Sequence, residues 1–230
     1  MPYNEFHQKI GESLPNFTPG AFPDVAVLTG RTVVLEHLDI EKHLDDIYDF
    51  AVTNGQPQDW TYLPVGPFET RQEVSDWLVS LSYKTDAYFF AIRDKARNRV
   101  VGLFSLMRIN PANRTIEMGW VVYSPVLQHS IAATEAQYLA MSYVFEELQY
   151  RRYEWKCDAL NQRSHQAALR LGFTFEGTFR QHTVYKGRSR DTNWFSILDK
   201  EWPAQKVRFE RWLSPDNFDA NGQQKRSLQD

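Results

Sequence analysis

Glu117-Met-Gly-Trp-Val-Val-Tyr-Ser-Pro-Val-Leu-Gln-His-Ser-Ile-Ala-Ala-Thr-Glu-Ala136 is the stretch on which the fold turns. Thr115 to Tyr123 is β-branched and aromatic, and Ser124-Pro125 stops it, which predicts a strand ending in a turn. From Ile131 to Leu148 the spacing is helical. Leu139, Val144, Phe145 and Leu148 share a face, with Thr134, Glu135 and Gln137 polar between them. Between strand and helix lies Gln128-His129-Ser130-Ile131-Ala132-Ala133, small and polar. Small side chains admit a ligand to the main chain, and the first N–H groups of a helix have no intrahelical acceptor. The junction therefore has the parts of a pyrophosphate cradle, although an ordinary strand–loop–helix connection has the same outline.

Composition narrows the classes. A hydrophobic fraction of 42% with 24% charged residues is that of a globular protein. The formal charge of −3 gives no general attraction to nucleic acid or to an anionic membrane. No apolar run reaches the length of a bilayer span and no signal-like core opens the chain, so a cytoplasmic location is expected. Cys157, the single cysteine, excludes an internal disulfide and a cysteine zinc site, and its apolar setting in Tyr153-Glu-Trp-Lys-Cys157 predicts a buried, inert thiol. The six histidines show no metal-ligand spacing, so no metal is expected.

Working outward, residues 1–30 are rich in Pro and Gly without period, predicting an N-terminal extension pinned by Phe6, Phe17 and Phe22. Thr32–Leu35 is a strand, and Asp39 caps a helix that ends at Asn54-Gly55. The loop 56–69 carries Trp60, Tyr62 and Phe68, which either line a substrate entrance or fold over the core. Thr70 and Glu73 form a capping box for the next helix. Strands at 88–93, 100–109 and 115–123 make an antiparallel meander. A helical crossover then leads to a strand at 152–159, parallel to 115–123. Asn161 opens a short helix closed by Gly172, a hairpin follows over 173–198, and Pro203 starts a last helix. Asp216 onward is polar and expected to fray. The predicted organisation is one domain over 31–200 with terminal segments 1–30 and 201–230.

This order, together with Glu117-Met-Gly-Trp, Gln128–Glu135, Tyr153-Glu-Trp-Lys-Cys and Asn161-Gln-Arg-Ser-His-Gln-Ala-Ala-Leu-Arg-Leu-Gly-Phe173, resembles the GCN5-related N-acetyltransferase (GNAT) superfamily. It is closest to the Rim-type ribosomal-protein N-acetyltransferases, and the likeness spans about Thr32 to Leu198. The resemblance implies an α/β (α+β) fold with a mixed, mostly antiparallel sheet of about seven strands and helices on both faces. The parallel pair 115–123 and 152–159 splays apart. It also implies acetyl-CoA as co-substrate, its pantetheine arm bonded to strand edges at Val121, Val122 and Tyr123, with Asn161 and Ser164 alongside. The pyrophosphate would sit on Gln128, His129, Ser130, Ile131, Ala132, Ala133 and Thr134. The reaction is direct attack of an amine on the thioester, with a strand N–H near Trp120–Val122 awaiting the oxyanion.

Two departures from the family pattern stand out. Ile131 occupies the usual glycine of the loop and cannot take a positive φ cheaply, so the loop must turn elsewhere, with His129 and Ser130 as alternative donors. Ala168 replaces the tyrosine that many members use to protonate the thiolate; Ser164 matches the Rim-type serine, or it simply bonds back to Asn161. The Rim-type base position holds Thr183. Its neighbour His182 titrates in a useful range but on an alternating strand points to the other face. Glu117, beside the splay, is either a proton relay for an α-amine of pKa about 8 or a salt-bridged strand carboxylate. The acceptor is a protein N-terminus or a small-molecule amine; Trp60, Tyr62, Phe68, Glu117 and Tyr185 are its candidate contacts. A catalytically silent acyl-CoA-binding module is the alternative to an enzyme, and a monomer or homodimer is expected.

Overall fold

The computed structural model describes residues 2–229; Met1 and Asp230, the outermost residues of the two expected terminal segments, lie outside them. Eight strands form one sheet in the order β1-β2-β3-β4-β5-β6-β8-β7. They are β1 (Val27–Thr29), β2 (Val33–His37), β3 (Ala87–Asp94), β4 (Arg99–Asn110), β5 (Thr115–Tyr123), β6 (Arg152–Asp158), β7 (Thr174–Tyr185) and β8 (Arg188–Leu198). Neighbours are antiparallel except β5 and β6, which are parallel. Five helices cover the sheet: α1 (Ile40–Tyr48), α2 (Arg71–Ser82), α3 (Ile131–Ser142), α4 (Gln162–Leu171) and α5 (Trp202–Leu213).

Alternation along the strands builds two cores. On one face Val33, Leu35, Phe104, Leu106, Ile116, Tyr153 and Phe195 pack under Ala136 and Ala140 of α3, Ala168 of α4 and Phe209 of α5. On the other, Phe89, Ala91 and Leu103 meet Leu44 and Ile47 of α1 and Val74, Trp77 and Leu78 of α2. The caps fall where the sequence placed them. Asp39 accepts from Lys42 N, Thr70 and Glu73 form a reciprocal box, and Gly172 takes φ 94° after α4.

The terminal segments are better anchored than their composition predicts. The expected extension supplies β1, and Tyr143 and Tyr150 hold its chain through Asp24 N and Ala21 O. Phe17 is gripped between the Arg114 and Arg151 guanidiniums, whereas Phe6 is 72% exposed and pins nothing. The tail beyond Asp216, expected to fray, folds back instead. Asn217 donates to Trp212 O and Arg226 O, and Leu228 is buried.

Candidate active site

β5 and β6 pair only from Thr115–Arg152 to Met118–Trp155, although β5 runs on to Tyr123 and β6 to Asp158. Both strands keep their outer partners over this length. Their facing edges past residues 118 and 155 therefore carry main-chain donors and acceptors with no strand between them. A bulge starts the opening. Ser105 pairs with Gly119 and Leu103 with Val122, so Trp120 and Val121 together oppose Phe104, and Trp120 takes φ 50°. This is the gap a pantetheine-like chain fills by strand addition.

On the α3 face the gap leads to the helix start. The tight turn falls on His129, with φ 58°, so Ile131 at the usual glycine position is spared a positive φ and opens α3 as an ordinary helical residue. Ser130 is the N-cap: its hydroxyl accepts from Ala133 N at 3.0 Å and donates to Leu127 O at 2.6 Å. Gln128 donates to Tyr123 O at 3.1 Å and ties the loop to the end of β5. Tyr123 accepts from Gln137 of α3 at 2.7 Å, and burial raises its phenol. Thr134 is engaged by Arg170 at 3.1 Å. The side chains thus shape the loop, while the N–H groups of Ile131 and Ala132 have no acceptor among the described residues. A cavity of about 540 Å³ adjoins this helix start, lined among others by Arg31, Lys95 and Arg97. Free N–H groups, a helix dipole and the cations Arg31 and Lys95 fit a pyrophosphate, while Arg97 is paired with Asp94 of the same cavity at 2.9 Å. The cations were not foreseen, because 94–98 reads as a plain turn.

On the same face, Asn161 caps α4 by accepting from Ser164 N at 3.1 Å. That bond uses the main chain of Ser164, not its hydroxyl. The Ser164 hydroxyl accepts from the Trp155 indole at 3.0 Å and can donate to the Cys157 sulfur. Cys157 lies beside it, buried, and burial pushes its thiol up to about 11.

The opposite face of the gap is polar and aromatic. Glu117 is 4% exposed, and its Oε2 accepts from Arg108 at 2.9 Å and Lys156 at 2.8 Å. Oε1 has no partner among the described residues. Lys156, the first residue of β6 past the paired stretch, also meets Glu154 at 2.8 Å and sits 3.7 Å over the Trp194 ring. Burial would raise Glu154, but Arg152 and Lys156 outweigh it and hold the carboxyl low. Trp194 packs against Phe179 (4.6 Å, tilted) and His182 (5.9 Å, edge-on). Arg180, Gln181 and His182 bulge out of β7, since Phe179 pairs with Thr192 and Thr183 already with Arg190. That bulge breaks the alternation expected to turn His182 away, and its Nδ1 lies 3.1 Å from Thr192 Oγ1. Sequence reasoning missed Lys156 and Trp194, whose meeting with Glu117 depends on strand register.

The mouth of this face is framed by three segments bonded to one another. Tyr62 donates to Leu160 O at 3.2 Å, Lys186 to Trp60 O at 2.8 Å and Arg188 to Thr61 O at 3.1 Å. Tyr185 donates to Asp158 at 2.8 Å; burial, then that carboxylate, pushes its phenol up to about 12. Trp60 itself is not at the entrance. It is 2% exposed and packs on Phe68 and Trp77 with centroids 4.9 and 5.4 Å away, so this loop aromatic serves the core through its ring and the mouth only through its carbonyl.

A parallel pair parted in mid-sheet, a helix start on one face and a polar mouth on the other define an acyltransferase fold of the GNAT type. Residues 32–174 match the family model "Acetyltransferase (GNAT) domain", and the chain belongs to that family of N-acetyltransferases. A GCN5-related N-acetyltransferase from Brucella melitensis is 49% identical and superposes with a TM-score of 0.92, over 94% of this chain and 98% of that one. A probable GNAT acetyltransferase from Chromobacterium violaceum is 35% identical with a TM-score of 0.79, over 85% and 98%. The ribosomal-protein-serine acetyltransferase of Escherichia coli is 28% identical over 170 residues, 72% of this chain and 93% of the relative.

Proposed function

We propose that this cytoplasmic enzyme uses acetyl-CoA to acetylate the α-amino group of a protein N-terminus. The observation that carries the reading is the end of β5–β6 pairing at Met118–Trp155. It leaves one slot open to the α3 helix start on one face and to the Glu117–Lys156–Trp194 surface on the other. Bound acetyl-CoA supplies an activated acyl group as its thioester. Val121, Val122 and Tyr123 offer main-chain groups to the pantetheine arm, and Ile131 and Ala132 offer N–H groups to the pyrophosphate. Ser164, its oxygen occupied by Trp155, gives its proton to the departing thiolate.

On the other face Glu117 meets the incoming amine through its free Oε1, and Lys156 keeps the carboxylate in place. The proton leaves through Glu117 or through His182 by way of water. Attack from that face on a group held from the other is a positioning device, which lowers the entropic part of the barrier. A protein acceptor is favoured over a small amine because β7 is exposed along nearly its whole length, giving an open mouth rather than a closed pocket. The name of the Escherichia coli relative points the same way.

Thiol release from acetyl-CoA with a panel of N-terminal peptides and free amines tests the assignment, the product mass locating the acetyl group. Turnover of small amines with none of any peptide overturns it. Acetyl-CoA at a hundredfold excess over its dissociation constant is expected to raise stability by about 2.7 kcal/mol; no thermal shift at millimolar acetyl-CoA would remove the cradle.

A further inference from the structure

The acceptor face ends in more cations than carboxylates, Arg180, Lys186, Arg188 and Arg190 against Asp158 and Asp191. β8 residues Ser196, Trp194 and Thr192 pair with Glu154, Lys156 and Asp158, so they lie on the acceptor face beside the gap. Arg190 continues that row past the end of β6. It is half-buried, its Nε donates to Thr192 Oγ1 at 3.1 Å, and its guanidinium lies 5.9 Å from the Tyr185 ring. Among the described residues, Arg180, Lys186, Arg188 and Arg190 form no ion pair. Asp59 is paired with Arg163 at 3.6 Å, and the two remaining acids are held in place by neutral donors, Asp158 by Tyr185 and Leu160 N and Asp191 by Gln181 N, so four cations face two carboxylates. Arg180 belongs to the bulge that, with Phe179, Gln181 and His182, lines an open groove of about 650 Å³.

An amine in the gap is a cation or has just been one, so nothing in the amine itself calls for more positive charge there. Four cations against two carboxylates leave an excess of positive charge that an arriving anion offsets. We propose that the acceptor peptide carries carboxylates shortly after its amino terminus, and that Arg190, with Arg180 and Arg188 beside it, receives them. This rests on the N-terminal acetyltransferase reading and names its substrate class. From Lys156 to Arg190 the row spans four residues of β8, about 14 Å, and an extended peptide covers that in about four residues, fewer once the arginine side chain reaches back. The second to fourth residues of the acceptor are the ones read.

The test is steady-state kinetics of the whole chain with acetyl-CoA and peptide pairs that differ only in charge: Ser-Asp-Glu-Asp and Ser-Asn-Gln-Asn amides, with Ser-Lys-Lys-Lys amide as a third arm. The acidic peptide is expected to show kcat/KM about tenfold or more above the neutral one, mostly in KM and fading with added salt. Arg190→Gln is expected to remove most of that preference and leave the neutral peptide unchanged, and Arg190→Glu to turn the preference toward the lysine peptide. Equal turnover of acidic and neutral peptides overturns the inference while leaving the N-terminal reading intact. Loss of activity on all peptides alike in Arg190→Gln, with acetyl-CoA binding retained, also overturns it, since anion reading would then not be its role. Failure of every peptide beside turnover of free amines sinks the reading and the inference together.

Discussion

At the scale of single residues, the site is decided by which atoms are already spoken for. Glu117 spends one oxygen on Arg108 and Lys156 and keeps the other free. Glu117→Gln is therefore expected to do two separable things. It weakens the hold on Lys156, which retains Glu154, at a cost of about 1–3 kcal/mol in urea unfolding. It also lowers kcat/KM by about a hundredfold, with the deficit growing as pH falls and more of the amine arrives protonated. A loss of the same size at every pH would confine Glu117 to holding Lys156. Cys157 shows the opposite condition. Burial raises its thiol to about 11, so at pH 7.5 little thiolate is present and no path reaches it. In the native protein a disulfide reagent is expected to titrate no thiol within minutes, and one equivalent once urea is added. Fast reaction in the native state would place Cys157 in the open slot instead of behind it.

At the scale of elements, the helix start of α3 is where local chemistry and ligand binding coincide. Ser130 caps the helix and holds the loop whose N–H groups face the slot. Ser130→Ala is expected to cost about 1 kcal/mol of stability and, if the freed loop must be ordered again by the ligand, to raise the acetyl-CoA dissociation constant about fivefold by calorimetry. Unchanged affinity would separate the cap from the cradle. The same elements show what the sequence can express. Strand and helix periods, the Thr70–Glu73 box and the Asn161 and Gly172 caps are local, and local chemistry announces them. The splay is not local, because Gly119–Tyr123 and Lys156–Asp158 alternate alike whether paired or parted, and only the family likeness foretold it. Register is silent too, so Lys156 and Trp194 went unseen as neighbours of Glu117. The bulge at 180–182 carries no glycine or proline to mark it, which is why His182 was expected on the wrong face. Trp60 looked like any loop aromatic until Phe68 and Trp77 closed around it.

At the scale of the whole molecule, the sheet is held to its helices by carboxylates that the fold keeps ionised, and acid should undo it in a definite window. Glu36 on β2 accepts from Arg93 of β3 at 3.0 Å and from Lys42 and His43 of α1 at 2.8 Å each, joining three elements. Burial works to raise its carboxyl, but the hydrogen bonds from Arg93, Lys42 and His43 overcome this and lower it from 4.5 to about 2. A carboxyl that is more acidic in the folded chain binds its proton more weakly there than in the unfolded one. The stability it contributes is therefore complete above about pH 5 and is lost as pH falls toward 2, about 3 kcal/mol in all. Urea unfolding of the native chain between pH 7 and pH 3 should show that slope. Glu36→Gln should be less stable than the native chain by about that amount at pH 7, with Arg93 and His43 left facing an amide, and the two curves should converge toward pH 3. Parallel curves would mean that the cluster is too well solvated to couple to folding, and that the acid sensitivity lies with Glu154 beside the active slot. In that case loss of activity would precede loss of structure on acidification, a distinction that near-ultraviolet circular dichroism and thiol release measured on the same samples would settle.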